Sequence, residues 1–353
     1  MRLGHFKTPP PAQARVLAGW YSAALNRWGV TLQRNGRWTE AAQCLTLAQD
    51  LNVDNVAARV NLECNTHWQA HQKMTVDRSQ AFQEQFSKYR NLGQVITENG
   101  PFDEPSYCYQ LGIGLTGVGM LRQACQQLDR IKTLVPDDLS VRLLLGDLVN
   151  SASLPDLTLR MVAEIKAEPA LRPLGPTNEV EVAVLEARAW LAKTNRAMAQ
   201  GILYALVATH PGDAYVAERA VATFTAFQSY SDALRVTDQQ LQLNPNDAIA
   251  LANKGIVSVL TGDFSNAIPL LTRSLSLTNL YMARLNRATA YLRTGRLDEA
   301  EADYQEILQA FPAVYRAYSG LGEIASQKRD TNAAIRYYEQ YLAQARAADF
   351  EEA

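Results

Sequence analysis

Three glycines in one apolar stretch have the spacing Gly-x-Gly-x-x-Gly: Gly112, Gly114 and Gly117. Loops with this spacing hold the phosphates of dinucleotides when a strand precedes the glycines and a helix follows them. Asp137 even lies where an acidic ribose ligand would be expected. However, residues 105–138 have the pattern of two helices, with Gly119 in the turn between them. We therefore predict no nucleotide cofactor. Because glycine weakens a helix, we expect Gly114 and Gly117 to mark a close helix contact or a distorted helix.

A second candidate for chemistry is a group of metal-ligating residue types at helical spacing: Cys64, His67 and His71. Residues at i, i+3 and i+7 share one helix face, and three such ligands with a water can hold zinc. No glutamate base accompanies them in a His-Glu-x-x-His arrangement. The polar neighbours Asn65 and Gln69 indicate a partly exposed helix end. We therefore predict surface histidines and no metal.

The sequence also lacks the motifs of nucleophilic and phosphoryl-transfer enzymes, Gly-x-Ser-x-Gly and the Walker sequence. Two pairs of carboxylates, Glu299 with Glu301 and Glu351 with Glu352, are expected on solvent-exposed helix faces or in the tail. We predict that the chain is not an enzyme and binds no cofactor. The four cysteines are widely spaced, which is typical of free thiols.

Composition excludes two further classes of partner. The net charge is −2, so no global positive field attracts nucleic acid. The chain has no apolar run of membrane-spanning length, which predicts no direct membrane insertion. Residues 1–11 have a basic start but no apolar core, so we see no signal peptide. The expectation is a soluble protein, cytoplasmic by default, with its compartment otherwise unknown.

The strongest pattern is an alanine that returns at intervals of 34, 34, 33 and 34 residues: Ala199, Ala233, Ala267, Ala300 and Ala334. A small residue at a fixed phase predicts that two helices cross closely at the same point of every unit. Such short helix pairs cannot bury their apolar faces alone and must stack. The predicted fold class is all-α, an α-solenoid of about nine antiparallel helix pairs.

Residues 281–314 show the unit most clearly. A first helix is predicted over 282–293, Gly295 supplies a positive φ, a second helix begins near Leu297, and Pro312 ends the unit. This pattern resembles the tetratricopeptide repeat. The resemblance extends over most of residues 22–348, including units 22–55, 105–138, 248–280 and 315–348. It implies a right-handed superhelix whose concave face is built from the first helix of each pair. The family is widespread in bacteria, so a bacterial origin is expected.

The period breaks twice, and the breaks define the predicted domain organisation. Residues 1–21 are a tail and lead-in helix, and 22–167 are a first array with a degenerate unit at 56–104. The degenerate unit is expected to have a long second helix near 77–97. A spacer with three prolines, 168–179, is predicted to exclude helix. A second array, 180–348, precedes an acidic tail, 349–353.

The resemblance also places residues on the concave face, at fixed positions of each first helix. The lysine, asparagine and arginine clamp of one family subset is missing from these positions. Instead, the middle of the second array presents a predicted apolar trough: Ile249, Ala252, Ile256, Val259, Leu260, Leu285 and Leu292. Charged and polar residues flank it: Arg188, Tyr215, Glu218, Arg293, Arg316 and Glu323. The trough suits a peptide with apolar anchors, or else packs against neighbouring helices of the same chain.

The predicted function is a non-catalytic scaffold or adaptor that binds a protein or peptide on this face. A homo-oligomer through the C-terminal unit is also possible in this interpretation, since that unit carries Tyr337, Tyr338 and Tyr341. The alternative is a repeat region similar to the tails of bacterial multi-spanning membrane proteins, including glycosyltransferase-like ones. Under that alternative the chain organises a process of the cell envelope.

Overall fold

The structure is a computed structural model that describes residues 11–78, 92–171 and 173–351. The described residues form helices, turns and irregular segments, and none of them is in a β-strand. The chain divides into two compact units, which meet in sequence at Leu174 and Gly175. The described residues of unit 1 form eight α-helices: α1 Ala12–Arg34, α2 Trp38–Leu51, α3 Val56–Gln69, α4 Leu92–Asn99, α5 Pro105–Gly117, α6 Leu121–Leu134, α7 Leu139–Ser151 and α8 Pro155–Ala167.

Unit 2 is more regular, because five helix pairs follow one another without an insertion. Its helices are α9 Pro176–Ala192, α10 Arg196–Thr209, α11 Ala214–Ala226, α12 Tyr230–Leu243, α13 Ala248–Leu260, α14 Phe264–Leu277, α15 Tyr281–Arg293, α16 Leu297–Ala310, α17 Tyr315–Gln327 and α18 Thr331–Glu351. Each first helix contacts the second helix of its pair, and it also contacts the first helix of the next pair. The first helices of unit 2 therefore lie side by side in one row. The predicted all-α solenoid of antiparallel pairs is confirmed.

The recurring small residues mark helix crossings, as the alanine period predicts. Ala199, Ala233, Ala267 and Ala300 are fully buried, and Ala334 is 7% exposed. In the pairs α1–α2, α5–α6 and α13–α14 a glycine of the first helix meets a leucine of the second: Gly29 and Leu45, Gly112 and Leu128, Gly255 and Leu271. A Cβ atom at any of these glycines would lie 2.6–2.8 Å from a leucine carbon atom. The two helices of a pair touch at these points.

Capping side chains and left-handed turns mark the ends of several helices. In three turns an aspartate two residues after a proline accepts hydrogen bonds from backbone N–H groups at the start of the next first helix: Asp138, Asp213 and Asp247. These carboxylates satisfy donors that the first turn leaves unpaired. Gly295 has a φ of 77°, which confirms the predicted left-handed turn after α15. Thr158 replaces the recurring alanine in α8, and its buried hydroxyl donates to the carbonyl of Gly146 at 3.3 Å.

Several predicted boundaries are corrected. The lead-in helix and the first helix of the first array are one helix, α1. Residues 70–78 are not helical, so the long helix does not begin at Asp77. Helix α4 covers the end of the predicted long helix and extends to Asn99. Residues 79–91 of that predicted helix lie outside the described residues. The prediction that residues 168–179 exclude helix is wrong beyond Gly175, because α9 begins at Pro176. Proline fits the first position of a helix, where a backbone N–H would have no partner within the helix. Helix α18 continues into the predicted tail as far as Glu351.

Candidate functional site

An extended segment of the chain lies on the first-helix face of unit 1. Residues 99–104 (the inserted segment) connect α4 to α5 and bind between α1 and α3 through side-chain amides. Asn26 donates to the carbonyl of Asn99 at 2.9 Å and to that of Pro101 at 3.0 Å. Asn61 donates to the Pro101 carbonyl at 2.9 Å and accepts from the Asp103 N–H at 2.7 Å. The groove between α1 and α3 therefore holds alternate residues of this segment through their backbone carbonyl and N–H groups.

Asp103 anchors the end of the inserted segment. Its side chain is fully buried, and both of its oxygens accept hydrogen bonds from Arg130, each at 2.8 Å. Arg34 and Gln33 each donate to the same carboxylate at 2.9 Å. Two guanidinium groups and one amide therefore offset the loss of hydration of this charge. Gln33 also donates to the Asp103 carbonyl at 2.9 Å, so it contacts both backbone and side chain.

Cys64 and Cys108 lie behind the inserted segment and are more deeply buried than Cys44 and Cys125. Burial raises the pKa of the Cys64 thiol and raises the pKa of Cys108 to about 12. Cys44 and Cys125 are half-buried, and burial raises the pKa of their thiols as well. Because the thiolate is the reactive form, the fully buried pair is unreactive at neutral pH.

We therefore expect maleimide to label Cys44 and Cys125 in the folded protein and to leave Cys64 and Cys108 unlabelled. Mass spectrometry of proteolytic fragments measures the labelling, and all four cysteines should react after denaturation. Labelling of Cys64 at the rate of Cys44 in the folded protein would contradict the described packing.

The residues of the possible metal and nucleotide sites do not assemble into such sites. The Cys64 sulfur is buried against the Asp103 carbonyl at 3.4 Å, whereas His67 and His71 are exposed. His71 lies beyond the end of α3 with a φ of 52°. Within the described residues, no group of three metal-ligating side chains forms. The glycine motif lies in the regular helix α5. The prediction of a close contact or a distorted helix is wrong for Gly114, where α5 is regular and an added Cβ atom would meet nothing within 4 Å. A close contact occurs instead at Gly112, for which none was predicted.

The first-helix face of unit 2 carries a row of side chains, four of them from the first turn of successive first helices and one, Glu181, from the second turn of α9. We call these residues the first-turn row: Glu181, Tyr215, Ile249, Met282 and Arg316. Three are exposed apolar or aromatic residues, with Tyr215 at 41%, Ile249 at 37% and Met282 at 39%. At one end the Tyr215 hydroxyl donates to the Glu181 carboxylate. At the other end Arg316 is exposed. The row thus has apolar side chains in its middle and opposite charges at its ends.

Much of the predicted trough is instead part of the core of unit 2. Leu285, Leu292 and Ala252 are buried, with exposed fractions of 7%, 4% and 5%. Ile256 and Val259 are half-buried and pack against the core cluster around Leu271. The reason is the contact between neighbouring first helices, which covers positions on the shared side of both. Of the seven trough residues, Ile249 and Leu260 remain exposed.

The flanking charged residues are partly paired with one another. Arg293 donates to Glu323 at 2.8 Å across α15 and α17. Glu218 is exposed and lines one crevice with Ile249 between α11 and α13. Arg188 is half-buried on α9 and takes part in further contacts. Glu218 thus lies beside Ile249, and Arg316 is the exposed charge at one end of the first-turn row.

Residues 285–349 match the family model of the tetratricopeptide repeat. This part of the chain consists of tetratricopeptide repeats. The match spans α15 to α18, the pairs in which the sequence pattern is clearest. No curated protein matches the chain.

Solved structures of other repeat proteins are similar at low sequence identity. A tetratricopeptide repeat protein from Parabacteroides merdae is 14% identical, with a TM-score of 0.44, over 70% of this chain and 96% of its own. MamA from Desulfovibrio magneticus is 18% identical, with a TM-score of 0.41, over 48% and 96%. PilF from Pseudomonas aeruginosa is 16% identical, with a TM-score of 0.38, over 67% and 89%.

The sequence predicts a loop at residues 99–105, but not that the inserted segment lies between helices α1 and α3. The available signal was a set of amide side chains inside helices α1 and α3, where the repeat pattern has apolar or small residues: Asn26, Gln33, Asn61 and Asn65. A buried amide needs a hydrogen-bond partner, and in the structure the carbonyl groups of residues 99–103 accept hydrogen bonds from three of these amides.

Two of the three C-terminal tyrosines pack within unit 2. The Tyr341 ring lies 5.8 Å from the Tyr315 ring, and Tyr337 packs against the core cluster around Tyr304. Tyr338 remains 39% exposed, together with Ile335 and Leu342 at 51% each. The homo-oligomer through the C-terminal unit therefore stays a prediction.

Proposed function

We propose that this chain, a helical-repeat interaction scaffold, binds an extended peptide of a partner protein on the first-turn row without catalysing a reaction. The observation that carries the proposal is the exposure of Tyr215, Ile249 and Met282 on successive first helices. Exposed apolar side chains in a row suit the apolar anchors of an extended peptide. Glu218 and Arg316 are placed to contact polar groups on either side of such anchors.

The inserted segment supports this proposal from within the same chain. It is an extended stretch that lies on first helices and is held through its backbone by side-chain amides. The first-helix row of unit 2 carries no such segment among its described residues. The first-turn row exposes Tyr215, Ile249 and Met282, so we expect affinity there to come from apolar anchors more than from backbone hydrogen bonds.

We expect Ile249→Glu combined with Met282→Glu to weaken peptide binding by about tenfold or more, since a carboxylate desolvated against an apolar anchor costs at least about 1.4 kcal/mol. The test selects peptides from a random display library on the full chain and then measures their dissociation constants by fluorescence anisotropy. The matched control is Leu243→Glu combined with Leu277→Glu. Both leucines are exposed, at 62% and 45%, but lie at the ends of the second helices α12 and α14.

Two outcomes would contradict the proposal. One is that no peptide is enriched over an unrelated helical protein. The other is that the Ile249 and Met282 variant binds as tightly as the control variant. Circular dichroism of both variants verifies that helicity is unchanged, which is expected because all four side chains are on the surface.

A further inference from the structure

Residues 72–78 (the strap) come shortly after α3 and lie against the first helices α5 and α7. They are outside helices, and their burial alternates as in an extended chain: Met74 and Val76 are half-buried, whereas Thr75 and Asp77 are exposed. Met74 and Val76 pack against the core cluster that α5, α6 and α7 share. The strap is therefore a second extended segment of this chain that occupies a groove on first helices.

The polar contacts of the strap reach the second residue of each of these two helices, Ser106 in α5 and Ser140 in α7. The Ser106 hydroxyl accepts a hydrogen bond from the Asp77 N–H at 2.9 Å. The Ser140 hydroxyl accepts one from Arg78 at 2.6 Å. In unit 2 the second residue of four first helices belongs to the first-turn row. The strap thus lies across the positions of unit 1 that correspond to that row.

Arg78 has the most specific surroundings of the strap residues. One of its terminal nitrogens donates to both oxygens of Asp138, at 3.0 and 2.7 Å. Its guanidinium carbon lies 5.3 Å from the centroid of the Tyr109 ring. The Asp138 side chain is 14% exposed, and its orientation is already fixed because it caps α7. A planar guanidinium group can pair with the carboxylate and face the ring at once, which the ammonium group of lysine does less well.

We propose that the strap is an internal ligand of this groove, which an extended segment of a partner protein with the same pattern displaces. The pattern is an apolar residue at i, another at i+2 and an arginine at i+4, as in Met74, Val76 and Arg78. The groove lies in unit 1, so the proposal does not depend on the peptide proposed for unit 2.

The way in which the strap is held favours exchange. Arg78 pairs with Asp138 and Lys73 with Asp137, but the two basic side chains are 43% and 74% exposed. Ion pairs with such exposed partners contribute little to stability. The inserted segment is instead anchored by the fully buried carboxylate of Asp103. The strap should therefore open at a lower free energy than the inserted segment, which leaves the groove to a competing chain.

A fluorescein-labelled peptide with the sequence of residues 72–78 stands for the partner segment in the test. In the intact chain the strap competes at an effective concentration of about 1 mM, so binding measured by fluorescence anisotropy should be weak. Met74→Ser combined with Arg78→Ala (the opened chain) should bind the peptide about tenfold more tightly or better, because more molecules have a free groove. The matched control, Gln72→Ala combined with Thr75→Ala, changes exposed strap residues and should bind like the intact chain.

Changes to the peptide and to the groove test the pattern. Replacing the arginine of the peptide by alanine should weaken binding to the opened chain by about tenfold or more, since the contacts with Asp138 and Tyr109 are lost. Lysine in its place should recover part of that loss. Ser140→Lys in the opened chain should also weaken binding, because it brings a positive charge next to the arginine. Ile249→Glu combined with Met282→Glu should change nothing, which separates this groove from the first-turn row.

Hydrogen exchange of the intact chain provides a test that needs no variant. An excess of the peptide should speed exchange at residues 75–78 and leave residues 99–104 unchanged. Equal affinity of the intact and opened chains, or no binding to an opened chain of unchanged helicity, overturns the proposal. Equal binding of the alanine-substituted peptide also overturns it. So does a dimer in analytical ultracentrifugation that Arg78→Ala dissociates, because the strap of a second copy then occupies the groove.

Discussion

Replacing Asp103 by alanine lowers the free energy of unfolding of unit 1 by about 3–5 kcal/mol, the usual cost of removing one partner of a buried ion pair. The physical reason is the pair of arginines that remain. Arg130 has a side chain only 12% exposed, and it loses both oxygens that accept its hydrogen bonds. Arg34 and Gln33 lose an acceptor each, and the inserted segment loses its anchor. Urea unfolding followed by tryptophan fluorescence measures the change, because four of the five tryptophans lie in unit 1.

Two further variants make the Asp103 result specific. Asp298→Ala also removes a carboxylate from an ion pair, with Lys328, but its side chain is 91% exposed, so no measurable change is expected. Arg130→Met combined with Asp103→Ala should recover part of the lost stability, because the unpaired buried charge is then gone. If Asp103→Ala is no more destabilising than Asp298→Ala, the inserted segment is not anchored as described.

Two glycines in α5 should respond to alanine with opposite signs. In Gly112→Ala the new Cβ atom would lie 2.8 Å from a methyl carbon of Leu128, which is fully buried. Because the two helices of the pair must then separate, we expect a destabilisation of about 1–3 kcal/mol. Gly114→Ala adds a methyl group where nothing lies within 4 Å. It should stabilise α5 by about 0.5–1 kcal/mol through the lower conformational entropy of the unfolded chain.

The same urea unfolding experiment measures both glycine variants. Since Gly112 and Gly114 lie in one helix, any general effect of alanine on helix formation appears in both and cancels in the comparison. A change of the same sign in the two variants would show that the close contact with Leu128 does not determine the stability of this pair. It would also remove the reason for glycine at the corresponding positions, Gly29 and Gly255.

The repeat was readable from the sequence because it depends on local chemistry. The buried alanines, Gly295 and the capping aspartates each act within one helix pair, and their spacing survives in the sequence. What lies between pairs was harder to predict. Leu285 and Leu292 have the same residue type and helical phase whether the neighbouring first helix covers them or leaves a trough. The residue types alone do not determine how closely two neighbouring first helices approach each other.

The inserted segment was unpredictable for a related reason. Its hydrogen bonds join residues up to 75 positions apart, as from Asn26 to Pro101. Periodicity describes one helix and its neighbours, so it carries no information about such pairings. Pro176 shows the opposite error, in which a local rule was applied too widely. Proline excludes a helix interior, yet its missing N–H costs nothing at the first position of α9.

First helices of unit 1 hold the inserted segment through its backbone. Amide hydrogen exchange at Asp103 tests this directly, because its N–H donates to Asn61 at 2.7 Å inside unit 1. We predict slow exchange of that amide in the intact chain and much faster exchange in Asn61→Ala, with the amides of α13 unchanged. Exchange of the Asp103 amide at the rate of an unfolded peptide in the intact chain would contradict the claim.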